Sequence, residues 1–238
     1  MKLLSKLKAK RSYDYSPAHR LLEVCAIFSF FAFLSVIGLR AVAGFVTVSL
    51  YQALWIGSLS AILGYIAADF VSGFVHWMGD TFGDIDMPVL GAAFIKPFRD
   101  HHVDPEDITR HDFIEVNGNN SLVLLIIFVP AFFLFKEASN LWHLFMLSFT
   151  VFFAFGIFMT NQFHKWAHLP ERPAWIVRLQ SLSLILAPDN HNIHHTSPFD
   201  TYYCITNGWL NPLLHRLRFF QLSEKLVRWV LRIPKQTT

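Results

Sequence analysis

Residues 41–68 read AVAGFVTVSLYQALWIGSLSAILGYIAA, without a single Asp, Glu, Lys or Arg. About 20 predominantly apolar residues in a helix suffice to cross the hydrocarbon layer of a membrane. The stretch therefore predicts a membrane-spanning helix. Residues 21–39 form another apolar run immediately before it, and Arg40 and Gly44 indicate a tight turn between the two spans.

Two further apolar runs follow, at residues 121–135 and 141–160. The run at 121–135 is short and contains Pro130, so it predicts a kinked or tilted span that extends into its flanks. The chain is 53% hydrophobic and only 16% charged, too apolar for an ordinary soluble domain. We expect an all-α, multi-pass transmembrane bundle of about four spans in residues 21–215, between a basic N-terminal tail (1–20) and a C-terminal tail (216–238).

The basic residues predict which segments face the cytosol, where Lys and Arg are enriched. Six lie in residues 1–20, among them Lys2, Lys6, Lys8, Lys10 and Arg11; three lie in residues 69–120 and nine in 161–238. Only Arg40 and Lys136 fall in the turns on the other side. Both termini and residues 69–120 are therefore predicted to be cytosolic. Residues 175–186 have apolar positions at helical spacing, which predicts a helix at the membrane interface.

Two other classes of protein have no support in the sequence. The net charge of +3 comes without a dense basic tract, so nucleic-acid binding is not indicated. Cys25 and Cys204 have no paired spacing, which argues against a disulfide framework and against a zinc ribbon.

Histidines carry the functional signal. Nine of the twelve fall in four short segments on the predicted cytosolic side: His76; His101, His102 and His111; His164 and His168; His191, His194 and His195. In HKWAH and HNIHH the histidines recur at helical spacing, so each set projects from one helix face. Neutral imidazole is a common iron ligand, and about eight imidazoles without thiolates suit two iron ions better than one structural zinc. These nine are the predicted metal ligands of a cytosolic di-iron cap, with no further catalytic residue.

The other polar residues have competing interpretations. His19, His143 and His215 lack cluster partners and are predicted to be structural or solvent-facing. A carboxylate at the edge of an apolar span, such as Asp69, is costly and usually functional. Asp69 or Asp80 is predicted to orient a ligand imidazole or, less readily, to bind the metal; the alternative is a helix-end carboxylate paired with an arginine. Possible polar neighbours of the site are Asn117, Asn119, Asn120, Tyr202 and Tyr203.

Three segments carry a family resemblance: FRDHHVDPEDITRHDFIEVNGNN (98–120), TNQFHKWAH (160–168) and HNIHHTSPFDTYYCITNGWLNPL (191–213). They closely resemble plasmanylethanolamine desaturases, and the similarity covers most of residues 60–215. The resemblance implies O2-dependent formation of the vinyl ether double bond in the alkyl chain of an ether glycerophospholipid, at two iron ions. It also implies a separate electron donor, either a small haem protein with its reductase or a ferredoxin-like protein. The host membrane would be the endoplasmic reticulum in a eukaryote or the inner membrane in a bacterium.

Three alternatives remain open at this point. Plastid desaturases of the phosphatidylglycerol acyl chain share the histidine boxes, and a hydroxylase uses a similar di-iron centre. A divalent-metal transporter could also carry histidine-rich segments, although its sites should lie near mid-membrane with access from both sides.

Overall fold

The computed structural model describes residues 16–88, 91 and 95–233. Within these residues the chain forms ten α-helices and no strand, which confirms the all-α prediction. In chain order the helices are α1 (Pro17–Phe45), α2 (Leu50–Thr81), α3 (Lys96–Val103), α4 (Asp107–Arg110), α5 (Phe113–Leu134), α6 (Leu141–His168), α7 (Ala174–Ser181), α8 (Pro188–His194), α9 (Asn211–Arg216) and α10 (Phe219–Leu231). The basic residues from Lys2 to Arg11 lie outside the described residues.

The four long helices α1, α2, α5 and α6 are each long and apolar enough to cross a membrane. Their outer surfaces carry large apolar side chains such as Phe28, Leu54 and Ile126, which are more than 60% exposed. An apolar surface of this extent is unfavourable in water and favourable in lipid. The prediction of four spans is confirmed, and the chain is a multi-pass membrane protein.

The predicted turn at Arg40 is wrong, because α1 continues through Arg40 and Gly44 to Phe45. The guanidinium of Arg40 donates hydrogen bonds to the carbonyl oxygens of Phe132 (2.7 Å) and Phe135 (3.2 Å) at the end of α5. These carbonyl oxygens have no hydrogen-bond partner within α5, so they are free to accept from the Arg40 guanidinium. Because the charged group is satisfied in this way, α1 can continue past Arg40.

Three other predicted boundaries also change. The second predicted span, 41–68, is replaced by a helix that begins at Leu50 and continues to Thr81, with Asp69 and His76 fully buried among the other helices. The short third span extends back to Phe113, where Asp112 and Glu115 form a capping box, and it continues through Pro130. The helix expected at 175–186 ends at Ser181, because the chain turns through Ser183 with a positive φ of 53°.

The bundle is assembled from two helix pairs, α1 on α5 and α2 on α6, with α6 also packed on α1 and α5. Phe30 of α1 is completely buried and stacks on Phe158 of α6 at 4.3 Å between ring centroids. A Cβ at Gly156 would lie 2.5 Å from the Cβ of Ala68, so only glycine permits this approach of α6 to α2. The C-terminal ends of α2 and α6 consequently meet at one end of the bundle, where the histidines lie.

Candidate metal centre

Four elements supply the polar side chains at this end of the bundle. Their side chains form two groups whose potential ligand atoms lie within 4.8 Å of one another in each group. The first group, called site 1 below, contains His101, His164, His168, His191 and His195; the second, called site 2, contains His76, Asp80, His102 and His194. The sequence spacing predicts that the histidines of HKWAH share one helix face and that those of HNIHH share another. The fold brings these two helices together with α2 and α3.

Site 1 is a chain of five imidazoles joined through their Nε2 atoms. His191 Nε2 lies 2.7 Å from His164 Nε2 and 2.9 Å from His195 Nε2. The chain continues from His164 to His168 at 3.2 Å and from His195 to His101 at 3.0 Å.

Hydrogen bonds alone cannot satisfy this chain. Each neutral ring nitrogen carries one N–H or one lone pair, so it makes one hydrogen bond. Five such atoms can therefore satisfy at most two of the four contacts. A cation that accepts all five lone pairs removes the conflict, so the donor set of site 1 fits a metal ion.

Burial keeps these imidazoles in the form that binds metal. Burial lowers the pKa of His191 well below its ordinary value, and charge repulsion from the neighbouring His164 and His168 lowers it further. The pKa of His101 is lowered for the same primary reason, and that of His195 falls to about 3. Uncharged imidazole has a free lone pair at neutral pH, as metal binding requires.

Site 2 is organised around one carboxylate oxygen. Asp80 Oδ2 lies 3.0 Å from His102 Nε2, 3.3 Å from His194 Nε2 and 3.4 Å from His76 Nε2. His76 and His194 are completely buried, and Asp80 comes from the same helix as His76, one turn later. One carboxylate oxygen and three imidazole nitrogens are a common ligand set for a divalent transition metal.

Backbone carbonyls fix the orientation of two of these rings. His76 Nδ1 donates to the carbonyl oxygen of Tyr203 (3.1 Å), and His194 Nδ1 donates to that of Thr201 (2.9 Å). A carbonyl can only accept, so the N–H must sit on Nδ1 and the neutral ring presents a bare lone pair at Nε2. Two bare Nε2 atoms and a carboxylate oxygen facing one another indicate that a cation belongs between them.

His111 is the one predicted ligand that the structure does not bring to either group. Its Nε2 lies 3.1 Å from Asp107 Oδ2 and 3.8 Å from Glu115 Oε1. The backbone carbonyl of His111 accepts a hydrogen bond from Lys165, which connects this loop to α6.

The three histidines predicted to be structural lie outside both groups. His19 lies 3.7 Å from Glu23, and His143 Nδ1 contacts the Ser139 hydroxyl at 2.7 Å. His215 Nδ1 contacts the hydroxyl of Thr201 at 2.8 Å.

Asp69 belongs to neither ligand group and has a different set of partners. Its fully buried carboxylate accepts hydrogen bonds from the backbone N–H groups of Asn207 and Gly208 (both 2.9 Å) and Leu210 (3.1 Å). Gly73, one turn later, allows close passage of Cys204, whose backbone nitrogen would lie 3.0 Å from a Cβ there. Asp69 therefore holds the segment that follows α8, and this segment supplies the carbonyls of Thr201 and Tyr203.

Sequence reasoning missed part of this support. The carbonyls of Thr201 and Tyr203 are backbone groups, so no residue type could identify them. The ring of Tyr203, a predicted polar neighbour, packs 4.9 Å from that of His194. Asn117 and Asn120 instead donate to the helix carbonyls of Phe113 and Ile157.

Comparison with known proteins identifies the family of this chain. Residues 65–237 match the lipid desaturase domain family, and this range contains every residue of sites 1 and 2. The chain belongs to the lipid desaturase family. As a lipid desaturase it is a membrane oxidoreductase that acts on a lipid, and its histidine cluster could hold a metal.

Similar lipid desaturases are found in bacteria, animals and plants. Plasmanylethanolamine desaturase of Myxococcus xanthus is 48% identical over 93% of this chain and 77% of its own length. Plasmanylethanolamine desaturase 1 of Mus musculus is 39% identical over 90% of this chain and 79% of its own. Fatty acid desaturase 4, chloroplastic, of Arabidopsis thaliana is 34% identical over 74% and 53%, respectively. No solved structure matches this chain. The expected resemblance is confirmed.

An apolar groove lies on the bundle of this lipid desaturase, in the part that crosses the membrane. Its volume is about 560 Å³, within the range of small-molecule sites. Tyr65 and Trp209 lie at its wall, and their polar atoms donate to the carbonyls of Leu184 and Ser183 (both 2.6 Å). The remaining lining residues come from α1, α2 and α6: Leu34, Ala61, Ile62, Val151, Phe152 and Phe155.

Proposed function

We propose that this lipid desaturase introduces the vinyl ether double bond into the alkyl chain of an ether glycerophospholipid, with two iron ions and O2. The observation that carries the proposal is the pair of adjoining ligand groups, sites 1 and 2, at one end of a lipid-embedded bundle. The substrate class is supported by the two plasmanylethanolamine desaturases, which match nearly the whole chain.

The ligands divide unequally between the two irons. Site 1 would hold one iron through five histidines, and site 2 would hold the other through Asp80 and three histidines. Bound iron supplies the activation of O2 needed to remove hydrogen from an unactivated alkyl chain. The residues of the chain keep the imidazoles neutral, aim their Nε2 atoms and exclude water from the buried centre.

The redox balance requires an external donor. Removing two hydrogens from the lipid while O2 becomes two waters consumes two further electrons and two protons. We propose that a separate carrier delivers these electrons, either a small haem protein with its reductase or a ferredoxin-like protein. The Lys and Arg distribution supports a cytosolic site, in the endoplasmic reticulum of a eukaryote or the inner membrane of a bacterium.

The substrate assignment is tested by expression in cells that lack plasmalogens and receive the alkyl ether precursor. Acid-labile vinyl ether lipids are then measured by mass spectrometry. We expect a product two hydrogens lighter than the precursor. No product, despite bound iron and a working electron donor, would refute the ether-lipid assignment.

Product mass also separates the alternatives. The Arabidopsis relative favours an acyl-lipid desaturase as the second candidate, which would yield a desaturated acyl lipid in the same cells. A hydroxylase would yield a product heavier by one oxygen. Transport of a divalent metal is disfavoured, because both ligand groups lie at one end of the bundle.

His102 and His111 provide a matched pair to test the ligand assignment. We expect His102→Ala to lose about half of the bound iron and nearly all activity, because His102 Nε2 lies at site 2. His111→Ala is expected to retain iron, because its Nε2 faces Asp107. Metal analysis of the purified variants checks this; equal iron loss in both would return His111 to the ligand set.

The groove is the proposed position of the far part of the alkyl chain. Phe155 precedes His164 by nine residues of α6, or about 14 Å at 1.5 Å per residue. Since the reacting carbons lie next to the ether oxygen, the rest of a long chain would extend this far into the membrane.

Filling the groove should therefore affect long substrates most. We expect Ala61→Trp to raise the KM for a long-chain ether lipid by roughly tenfold, a loss of about 1.4 kcal/mol, and to affect short chains less. Ala43→Trp, on the exposed surface of α1, is the matched control. Equal KM values for the two variants would mean that the alkyl chain lies outside the groove. The proposed vinyl ether desaturation would stand in that case, because it is tested by the product that the wild-type enzyme forms.

A further inference from the structure

The last helix, α10, has three distinct faces. On the inward face Phe220 is 3% exposed, and its ring packs 4.8 Å from Tyr203 and 5.9 Å from Trp77. Val227 packs in the same cluster, seven residues later. This face is a normal packing surface and fixes α10 against the end of α2.

The second face is apolar yet exposed. Leu222, Leu226, Trp229 and Val230 are 56%, 60%, 78% and 59% exposed. At about 100° per residue they occupy one continuous sector of the helix. Within the described residues no other element covers this row, which we call the outer row.

The third face is basic and lies beside the outer row. Lys225 and Arg232 are exposed, as is Arg218 just before the helix. Helical spacing places Lys225 in a sector between the inward face and the outer row, and Arg218 and Arg232 flank the two ends of the helix. The combination of an apolar and a basic sector is characteristic of helices that lie in the plane of a membrane surface.

The position of α10 in the fold agrees with a location at the membrane surface. Arg228 donates to the carbonyl of Thr81, the last residue of α2, at 3.4 Å, and its guanidinium lies 5.3 Å from the ring centroid of Phe82. α10 therefore lies where a membrane-crossing helix ends. The last turns of α2 also expose Phe74 and Met78, so lipid-facing surface reaches the level of α10.

We propose that α10 lies in the interfacial layer of the bilayer, with the outer row among the acyl chains and Lys225 and Arg232 at the lipid phosphates. The occupant is a lipid surface because α10 packs on the end of a membrane-crossing helix, α2, and because its exposed apolar row has flanking basic residues that complement anionic headgroups. Phe220 connects this helix to Tyr203, whose carbonyl orients His76. Membrane contact thereby fixes the height of the ligand groups relative to the headgroups.

The proposal is tested with nitroxide labels on adjacent residues. The full chain carries Cys25→Ser, so that buried Cys204 is the remaining native thiol, and either Leu226→Cys or Lys225→Cys. Each labelled protein is reconstituted in vesicles of phosphatidylcholine and phosphatidylglycerol. Retained iron verifies that the fold is intact.

We expect the label at 226 to collide with O2 several-fold more often, relative to a water-soluble nickel complex, than the label at 225. Equal ratios at the two positions would overturn the proposal, because the two labels would then share one environment, either water or lipid, instead of lying on opposite sides of an interface. Dipolar broadening at 226 that disappears on dilution with unlabelled protein would show a second copy on the outer row and would also overturn it.

Discussion

The His191→Ala enzyme is expected to lose at least about 100-fold in turnover and roughly half of its bound iron. Even outer-shell partners of metal ligands contribute about 10–100-fold, and His191 occupies the middle of site 1. Its Nε2 lies 2.7 Å from His164 Nε2 of α6 and 2.9 Å from His195 Nε2, so it links the two halves of the site. Iron analysis and product formation on the same purified sample check both effects.

The matched control for this variant is His143→Ala. His143 lies at the other end of α6, and its Nδ1 contacts the Ser139 hydroxyl. The His143→Ala enzyme should therefore retain its full iron content and turnover. If His191→Ala also retained both, site 1 would not be a metal site.

Asp69→Ala should produce the largest loss of stability. The substitution leaves the buried N–H groups of Asn207 and Gly208 and the partly buried N–H group of Leu210 without their acceptor. At about 1–3 kcal/mol for each unsatisfied donor, with partial relaxation, we expect the free energy of unfolding to fall by about 3–5 kcal/mol. Thermal unfolding in detergent micelles measures the change.

Two further variants sharpen this test. Asp69→Asn keeps an oxygen for Asn207 and Gly208 but turns an N–H group toward Leu210, so its loss should be intermediate. Asp86→Ala, at an exposed position, should change stability little. A loss of activity in Asp69→Ala without a loss of stability would instead place Asp69 in the chemistry.

The sequence placed the paired histidines on common helix faces because helical spacing is local information. His164 and His168, four residues apart, needed only the helix that the apolar run already indicated. His111 shows the limit of this reasoning: it is near His101 and His102 in sequence, but the chain leaves α3 at Asp104 before it reaches His111. Proximity along the chain therefore does not bring His111 into either ligand group.

Asp69 and Asp80 shared one interpretation in the sequence, since both lie on the face of α2 that carries His76. The structure separates them by their partners. Asp80 faces three imidazoles, whereas Asp69 faces backbone N–H groups from residues more than 130 positions later. Such long-range contacts leave no periodic pattern, so only the folded chain distinguishes the two roles.

Both ligand groups are also built from elements that are far apart in the sequence, and this has a consequence for the cell. Site 1 joins α3, α6 and α8, and site 2 joins α2, α3 and α8. Bound iron would therefore act as a removable cross-link between elements that the chain connects only through long loops. A chain made during iron shortage would lack this cross-link and be degraded faster, so enzyme abundance, and not only specific activity, should follow the iron supply.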